Sequence, residues 1–167
     1  SNWWTGEGGS GVNATAFNED YATWIIKCDA TVTKDLSILG SNTKVIVDEG
    51  ASLTVNSDVL FSSLQMKKNS DVINNTRLTV MEKFTIDPTG LAIGSSDRPS
   101  QVATLTNNGE LNIYAEDFYV ADSWVYNNAN ASMNFNNTNM TIYDPNTNDG
   151  NDYAANGNAG HVINAGK

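Results

Sequence analysis

The residues best suited to bind a cation form one Asn- and Asp-rich segment near the C-terminus. Oxygen-bearing side chains recur there much as they do in calcium loops. The candidate ligands are Asp144, Asn146, Asn148, Asp149 and Asp152. An EF-hand is not matched, because Gly150 falls one place late and no glutamate closes the loop. The segment is therefore interpreted first as an Asn-rich loop and second as a Ca²⁺ site.

Three aromatic residues lie close together in the sequence. They are Tyr114, Tyr119 and Trp124, and Tyr119 takes an outward place where neighbouring repeats have Ser, Leu or Thr. Exposed flat rings can stack on sugar rings, while nearby polar groups bind the hydroxyls. We expect a glycan-binding site at these residues, with core or edge packing of Trp124 as the alternative.

Polar residues that precede an apolar strand are the candidates for acid/base chemistry. They are Asp35, Asp58, Lys83, Asp117 and Asn139. On stacked strands, carboxylates such as Asp58 and Asp117 can come close enough to share a proton or a cation. Solvated turns explain the same pattern, with Lys83 balancing the charge of the acids.

A repeat with a period of roughly 20 to 50 residues decides the architecture, and one runs through this chain. Five segments read apolar, Thr or Asn, apolar, and their middle residues are 23, 25, 33 and 22 positions apart. They are Ala30-Thr31-Val32, Leu53-Thr54-Val55, Leu78-Thr79-Val80, Leu111-Asn112-Ile113 and Met133-Asn134-Phe135. A second strand follows each segment, and a third precedes most of them. Such coils cannot bury an apolar face alone, so they must stack.

The alignment of these segments predicts the core. The expected inward ladders are Leu53, Leu78 and Leu111, and Phe61, Ile86 and Val120, with the middle Thr and Asn residues in one outward column. The chain is thus predicted to be all-β, a right-handed parallel β-helix of about five three-stranded coils with irregular capping ends. An antiparallel sandwich or barrel explains the strands but not the period.

We expect a single domain over residues 1–167. Coils occupy residues 22–143, an N-terminal cap residues 1–21 and an Asn/Gly-rich tail residues 144–167, with a loop insertion at 87–99. Aromatic residues near the start are expected to pack over the first coil. They are Trp3, Trp4, Phe17, Tyr21 and Trp24.

Composition narrows the classes of function. Nine basic and nineteen acidic side chains give a net charge of −10, which disfavours binding to nucleic acid or anionic lipid. No apolar run approaches the ~20 residues of a membrane span, so a soluble, mature or trimmed product is expected. The single cysteine, Cys28, lies in an apolar run and is predicted to be a buried thiol.

The Leu-Thr-Val segments and the Asn-Asn-Gly-Glu-Leu-Asn-Ile turn resemble those of pectin-lyase-like right-handed β-helices of bacterial secreted and surface proteins. The resemblance spans residues 22–143. That fold includes pectate lyases, polygalacturonase-like hydrolases, phage tailspikes and adhesins, so it implies a carbohydrate or surface partner. The Gly-His-Gly motif of the hydrolases is missing, since the single histidine stands in Gly160-His161-Val162.

We therefore expect a secreted or cell-surface module that is not catalytic, an adhesin-like or glycan-binding scaffold. The alternatives are a polysaccharide-active lyase or glycoside hydrolase, and a purely structural repeat segment. The expected partners are a polysaccharide or glycan and other domains of a longer protein. We expect no nucleic acid, no membrane insertion and no cofactor apart from the Ca²⁺ considered above.

Overall fold

The structure, a computed structural model, describes residues 16–86, 102–121, 123–143 and 160–167. Within these ranges every element is a β-strand and every strand pairing is parallel. The strands are β1 (Thr23–Ile26), β2 (Ala30–Val32), β3 (Leu36–Ile38), β4 (Lys44–Val47), β5 (Ser52–Val55), β6 (Val59–Met66), β7 (Asp71–Asn74), β8 (Arg77–Ile86), β9 (Ala103–Asn107), β10 (Glu110–Ile113), β11 (Asp117–Ala121), β12 (Ser123–Asn127), β13 (Ser132–Phe135), β14 (Asn139–Tyr143) and β15 (His161–Asn164). They form a parallel β-solenoid of about five turns, as predicted. None of the described residues forms a helix long and apolar enough to cross a membrane.

The strands stack in three columns. Column A, a six-stranded sheet, contains β2, β5, β7, β9, β12 and β15. Column B contains β3, the first halves of β6 and β8, β10 and β13. Column C contains β1, β4, the second halves of β6 and β8, β11 and β14. Because β6 and β8 run from column B into column C, these two columns share one nine-stranded sheet.

Alternation along each strand decides which side chains point inward. In β5, for example, Leu53 and Val55 are buried, whereas the residues between and before them are partly exposed. Inward side chains of successive coils form apolar ladders. In column C the rings of Phe84 and Phe118 pack with centroids 4.8 Å apart. Stacking coil on coil thus builds one continuous core.

One step of the predicted stacking is wrong. Leu53 pairs with Val72, whereas Leu78 pairs with Val59. The predicted ladder therefore crosses from column A into column B between Leu53 and Leu78. It is correct from Leu78 to Leu111, which are register partners.

The second predicted ladder has the same error, because Phe61 pairs with Val80 and not with Ile86. It is correct from Ile86 to Val120. Both errors arise at the coil of β5 and β6. This coil is short, because β6 passes from column B to column C without a separate turn. Strands of all three columns share one alternating pattern, so sequence similarity alone does not distinguish the columns.

The predicted outward column of Thr and Asn is consequently two columns. Thr31 and Thr54 are partners in column A. Thr79, Asn112 and Asn134 are partners in column B. All five are at least partly exposed, as expected of outward positions.

Buried asparagines form a row along column A, which we call the inner asparagine ladder. It consists of Asn74, Asn107 and Asn127, which are buried, and ends at Asn164, which is exposed. The Nδ2 group of each donates to Oδ1 of the next at 2.7 Å. Nδ2 of Asn107 also donates to the carbonyl of Ser132 at 2.8 Å, which ties column A to column B. Since buried amides need partners, this ladder favours one alignment of the coils.

The next residue in each turn forms a parallel row at the surface, the outer asparagine ladder. Its members are Asn56, Asn75, Asn108 and Asn128. Here the amides donate toward the N-terminal end of the stack, opposite to the inner ladder. Gly109 follows in one of these turns, where a Cβ atom would lie 2.0 Å from the carbonyl oxygen of Thr76. The turn at Gly109 lies so close to the preceding coil that a side chain at this position would not fit.

The residues expected to cap the first coil have different roles. Trp24 is an inward residue of β1 and is buried, with Phe17 packed on it at a ring distance of 4.9 Å. Tyr21 is 76% exposed and covers little of the coil. Trp3 and Trp4 lie outside the described residues.

Two further predictions concern Cys28 and the C-terminal segment. The prediction of a buried Cys28 is wrong, because the thiol is exposed in the turn after β1. The segment predicted as a tail contains a coil strand, since β15 pairs with β12. The insertion at 87–99 lies outside the described residues.

Candidate functional site

Aromatic side chains cover part of the outer face of column A near its C-terminal end. Trp124 and Tyr126 alternate with buried residues on β12 and therefore point outward. His161, on β15, is the register partner of Trp124. We call Trp124, Tyr126 and His161 the aromatic platform.

The rings of the platform are nearly parallel. Trp124 and His161 stack with centroids 4.1 Å apart and planes 15° apart, and Trp124 and Tyr126 are separated by 5.9 Å and 7°. All three side chains are half-buried. Thr104 and Thr106, their outward neighbours on β9, add hydroxyl groups to the same face. The face thus combines ring surfaces with hydrogen-bonding groups.

Of the three aromatics predicted to bind a ligand, only Trp124 belongs to the platform. Tyr119 points outward from β11 in column C, between Thr85 and Thr141. Tyr114 lies just after β10 and is 45% exposed. Trp124 and Tyr119 therefore lie on different sheets, and the structure does not bring the three together.

Sequence reasoning missed the other two members of the platform. Tyr126 is two positions beyond Trp124, so alternation along the strand was enough to place both on one face. His161 lies 37 positions beyond Trp124. Only the stacking of β15 on β12 brings its ring onto the indole.

The predicted calcium ligands, Asp144, Asn146, Asn148, Asp149 and Asp152, all lie outside the described residues. Within the described ranges, no group of three or more His, Cys, Asp and Glu side chains could hold a metal ion. The calcium site stays a prediction.

Paired charges form a row at the N-terminal ends of three column-B strands, β6, β8 and β10. Arg77 binds Asp58 at 2.6 Å and Glu110 at 3.3 Å. Glu110 also accepts a hydrogen bond from Asn112 at 2.8 Å. That bond, followed by the guanidinium of Arg77, lowers the pKa of Glu110. Because these charged groups are exposed, the row links adjacent coils only weakly.

The predicted row of acid/base candidates is divided between two columns. Asp35 and Asp58 precede neighbouring strands of column B. Asp117 and Asn139 are partners in column C, where Lys83 also lies. Asp58 and Asp117 therefore do not face each other. Their predicted pairing depended on the same crossing between columns that displaced the ladders.

Two successive corners between columns C and A carry complementary charges. Lys67 binds Asp48 at 2.9 Å, and Lys68 binds Glu49 at 3.1 Å. The hydrogen bond from Lys67 is the main cause of the lowered pKa of Asp48. Lowering the pKa stabilises the folded chain wherever Asp48 is ionised.

We expect Asp48→Asn to reduce the free energy of unfolding at neutral pH by a few tenths of a kcal/mol up to about 1 kcal/mol, because the pair is partly screened by solvent. The carboxylate of the unfolded chain has the higher pKa, so the difference from the parent is constant well above pH 3.8. It should disappear as the pH falls through the lowered value. Urea unfolding of both proteins as a function of pH measures it. A difference that grows in acid would contradict the assignment. Glu49→Gln is the matched control, because Glu49 is the more exposed of the two acids.

An open recess of about 710 Å³ enters the N-terminal end of the solenoid between the first strands of the three columns. Phe17, Val32, Leu36 and Leu53 are among its lining residues. Leu53 is buried, whereas the other three are half-buried. Because Lys27, Asp29, Lys34 and Asp35 also line it, the recess is apolar only in part.

Comparison with known proteins gave no match to a protein-family model, a curated protein or a solved structure. The class of this protein is therefore defined by its own geometry. It is a parallel β-solenoid of about five turns. Its outer face carries the aromatic platform.

Proposed function

We propose that the chain is a non-catalytic, secreted or cell-surface module that binds a glycan, as an adhesin-like scaffold does. The aromatic platform is the observation that supports this function. The stacked rings form an apolar surface that the CH groups of a sugar can contact, and Thr104 and Thr106 add hydroxyls that can bind sugar hydroxyls.

The net charge points to the kind of glycan. A chain with a charge of −10 repels a polymer of uronic acids, so the proposed ligand is a neutral polysaccharide. A rigid stack suits display of such a surface, because the coils hold the platform in place before the ligand binds. The same proposal groups the module with the pectin-lyase-like β-helices of bacterial surface proteins.

Trp124→Ala is expected to weaken binding of a neutral polysaccharide by at least about tenfold, because the indole is the central ring of the platform. A glycan array identifies the ligand, and isothermal titration of parent and variant measures the loss. The array is paired with assays for reducing sugars and for unsaturated products.

Tyr114→Ala is the matched control, since Tyr114 is an exposed aromatic on the other sheet. Its binding should equal that of the parent. Loss of binding in Tyr114→Ala or Tyr119→Ala with full binding in Trp124→Ala would move the site away from the platform, to Tyr114 or Tyr119. Turnover of any polysaccharide by the parent would overturn the non-catalytic function.

A further inference from the structure

One corner between columns A and B contains the dipeptide Asn108-Gly109, the type of sequence that is most prone to spontaneous deamidation. In this reaction the backbone nitrogen of the second residue attacks the side-chain carbonyl carbon of the asparagine. Glycine favours the attack because it has no Cβ atom to crowd that nitrogen. Asn108 is exposed. The other three members of the outer asparagine ladder, Asn56, Asn75 and Asn128, are followed by Ser, Thr and Ala. The ladder thus has one chemically labile member.

The fold requires this labile sequence, because no other residue fits in place of Gly109. A Cβ atom there would lie 2.0 Å from the carbonyl oxygen of Thr76. The residues on either side are also bonded to the preceding coil. Asn108 donates its backbone N–H to the carbonyl of Asn74 at 2.7 Å, and Glu110 donates its own to the carbonyl of Thr76 at 2.7 Å. Since the glycine cannot be replaced, the contacts of Asn108 decide how fast the corner reacts.

Ladder bonds hold the carboxamide of Asn108 on both sides. Its Nδ2 group donates to Oδ1 of Asn75 at 2.8 Å, and its Oδ1 accepts from Nδ2 of Asn128 at 2.7 Å. The attacking nitrogen is bonded as well, since the N–H of Gly109 donates to Oδ1 of Asn107 at 3.3 Å. To close the ring, the carboxamide must turn toward Gly109 and that N–H must lose its proton. Both changes break hydrogen bonds that the folded corner contains.

We propose that Asn108 is a deamidation site and that the outer asparagine ladder restrains the reaction. The nitrogen of Gly109 loses its proton and forms a bond to Cγ of Asn108. The bond from Cγ to Nδ2 breaks, and ammonia leaves with that proton. Water then opens the cyclic imide at one of its two carbonyl groups and yields aspartate or isoaspartate. The reaction involves no residue of the aromatic platform and goes beyond glycan binding.

The two products differ in their effect on the corner. Aspartate keeps the length of the backbone and removes only the donor of one ladder bond. Isoaspartate adds one carbon atom to the backbone between residues 108 and 109. This point lies between the two backbone bonds to Asn74 and Thr76, and Gly109 is packed against Thr76. A longer segment cannot keep both bonds, so isoaspartate is expected to weaken the pairing of β10 with β8.

Peptide mapping by mass spectrometry, applied to the 167-residue chain in mildly alkaline buffer, measures deamidation at Asn108. Mapping distinguishes this site from Asn156-Gly157, the other Asn-Gly pair in the sequence, which lies outside the described residues. Asn108 should react at least about tenfold more slowly in the folded parent than in the same chain unfolded in guanidinium chloride, because several hydrogen bonds oppose ring closure. Equal rates in the folded and the unfolded chain would overturn the proposal.

Three exposed ladder positions test the cause of the protection. Asn75→Ala and Asn128→Ala each remove one ladder bond of Asn108 and should raise its rate in the folded chain about three- to fivefold. Asn56→Ala is the matched control, because Asn56 bonds to Asn75 and not to Asn108, and its rate should equal that of the parent. Urea unfolding verifies that each variant is folded. No increase in the first two variants, or an equal increase in the control, would contradict restraint by the ladder.

The isoaspartate product gives an independent readout. Chromatography separates the deamidated forms, and thermal melting compares them with Asn108→Asp, which has the new charge but the normal backbone. The isoaspartate form should melt at a lower temperature than this variant. Equal melting temperatures would show that the corner accepts a longer backbone and does not hold Asn108-Gly109 as described.

Discussion

Leu78→Asp is expected to unfold the chain at neutral pH. Leu78 is completely buried in the middle of column B, between Val59 and Leu111. The ladder on either side is apolar, so it gives the new carboxylate neither a counter-ion nor a hydrogen-bond donor. Burying an unpaired charge costs several kcal/mol at least, and the stability of a whole domain is only about 5–15 kcal/mol.

Far-UV circular dichroism and urea unfolding measure this effect. Thr79→Asp, at the next position but pointing outward, should change the free energy of unfolding by less than about 1 kcal/mol. Leu78→Ala, which leaves a cavity but adds no charge, should cost about 2–5 kcal/mol. A Leu78→Asp variant that unfolds at the same urea concentration as the parent would show that this face of β8 does not line the core.

Asn107→Asp is expected to be the next most damaging change, although the two side chains have nearly the same shape. The replaced Nδ2 group donates to Oδ1 of Asn127 and to the carbonyl of Ser132. A carboxylate oxygen at that place would face both acceptors without a proton. We expect a loss of about 3 kcal/mol or more at neutral pH, because two buried hydrogen bonds become repulsive contacts.

The pH dependence distinguishes this cause from a simple packing defect. Burial raises the pKa of a carboxyl group above its value in the unfolded chain, about 3.9. The penalty relative to the parent should therefore increase with pH above about 4 and be smallest in acid, where a protonated carboxyl can donate one of the lost bonds. Chemical unfolding of parent and variant at matched pH values gives the difference.

Asn108→Asp is the control for this prediction. Asn108 is the adjacent residue, but it belongs to the exposed outer ladder, where water can replace its bond to Asn75. Its expected cost is below about 1 kcal/mol at all pH values. Equal costs for the two variants, or a cost of Asn107→Asp that does not depend on pH, would show that the inner ladder does not contribute as described.

The parallel β-solenoid was predictable because each coil repeats the same local pattern of alternating apolar residues and turn residues. Alternation places Leu53, Leu78 and Leu111 inward whichever strand lies above them, and all three are buried. Asn and Gly residues mark the corners, and Gly50 and Asn69 have the left-handed backbone that such turns need. These features depend only on neighbours in the chain.

The stacking partners were only partly predictable. Leu53 and Leu78 begin segments of identical type, yet Leu53 pairs with Val72 in column A and Leu78 pairs with Val59 in column B. Which strand lies on which depends on the length of each corner and on whether a corner is formed at all. The strand β6 passes from column B to column C with only a shift in register, and no residue type at that place indicated the passage.

The candidate site was likewise only partly predictable from the sequence. Sequence reasoning selected Trp124 because exposed aromatic rings suit sugars, and it grouped that residue with Tyr114 and Tyr119 because they are close in the sequence. The structure groups it with Tyr126 and His161 instead. Proximity along a solenoid chain is a poor guide to proximity on its surface, because a few residues carry the chain around a corner to another sheet.

By itself, the sequence determined that this chain forms short strands with one apolar face and that these strands must stack, since alternation and turn residues act locally. Only the tertiary structure decided the columns, and with them the platform and the two asparagine ladders. The physical reason is that stacked strands interact across gaps of 19 to 37 residues, as from Thr54 to Ile73 and from Trp124 to His161. Over such gaps the lengths of the corners, and not the pattern of the strands, determine which strands pair.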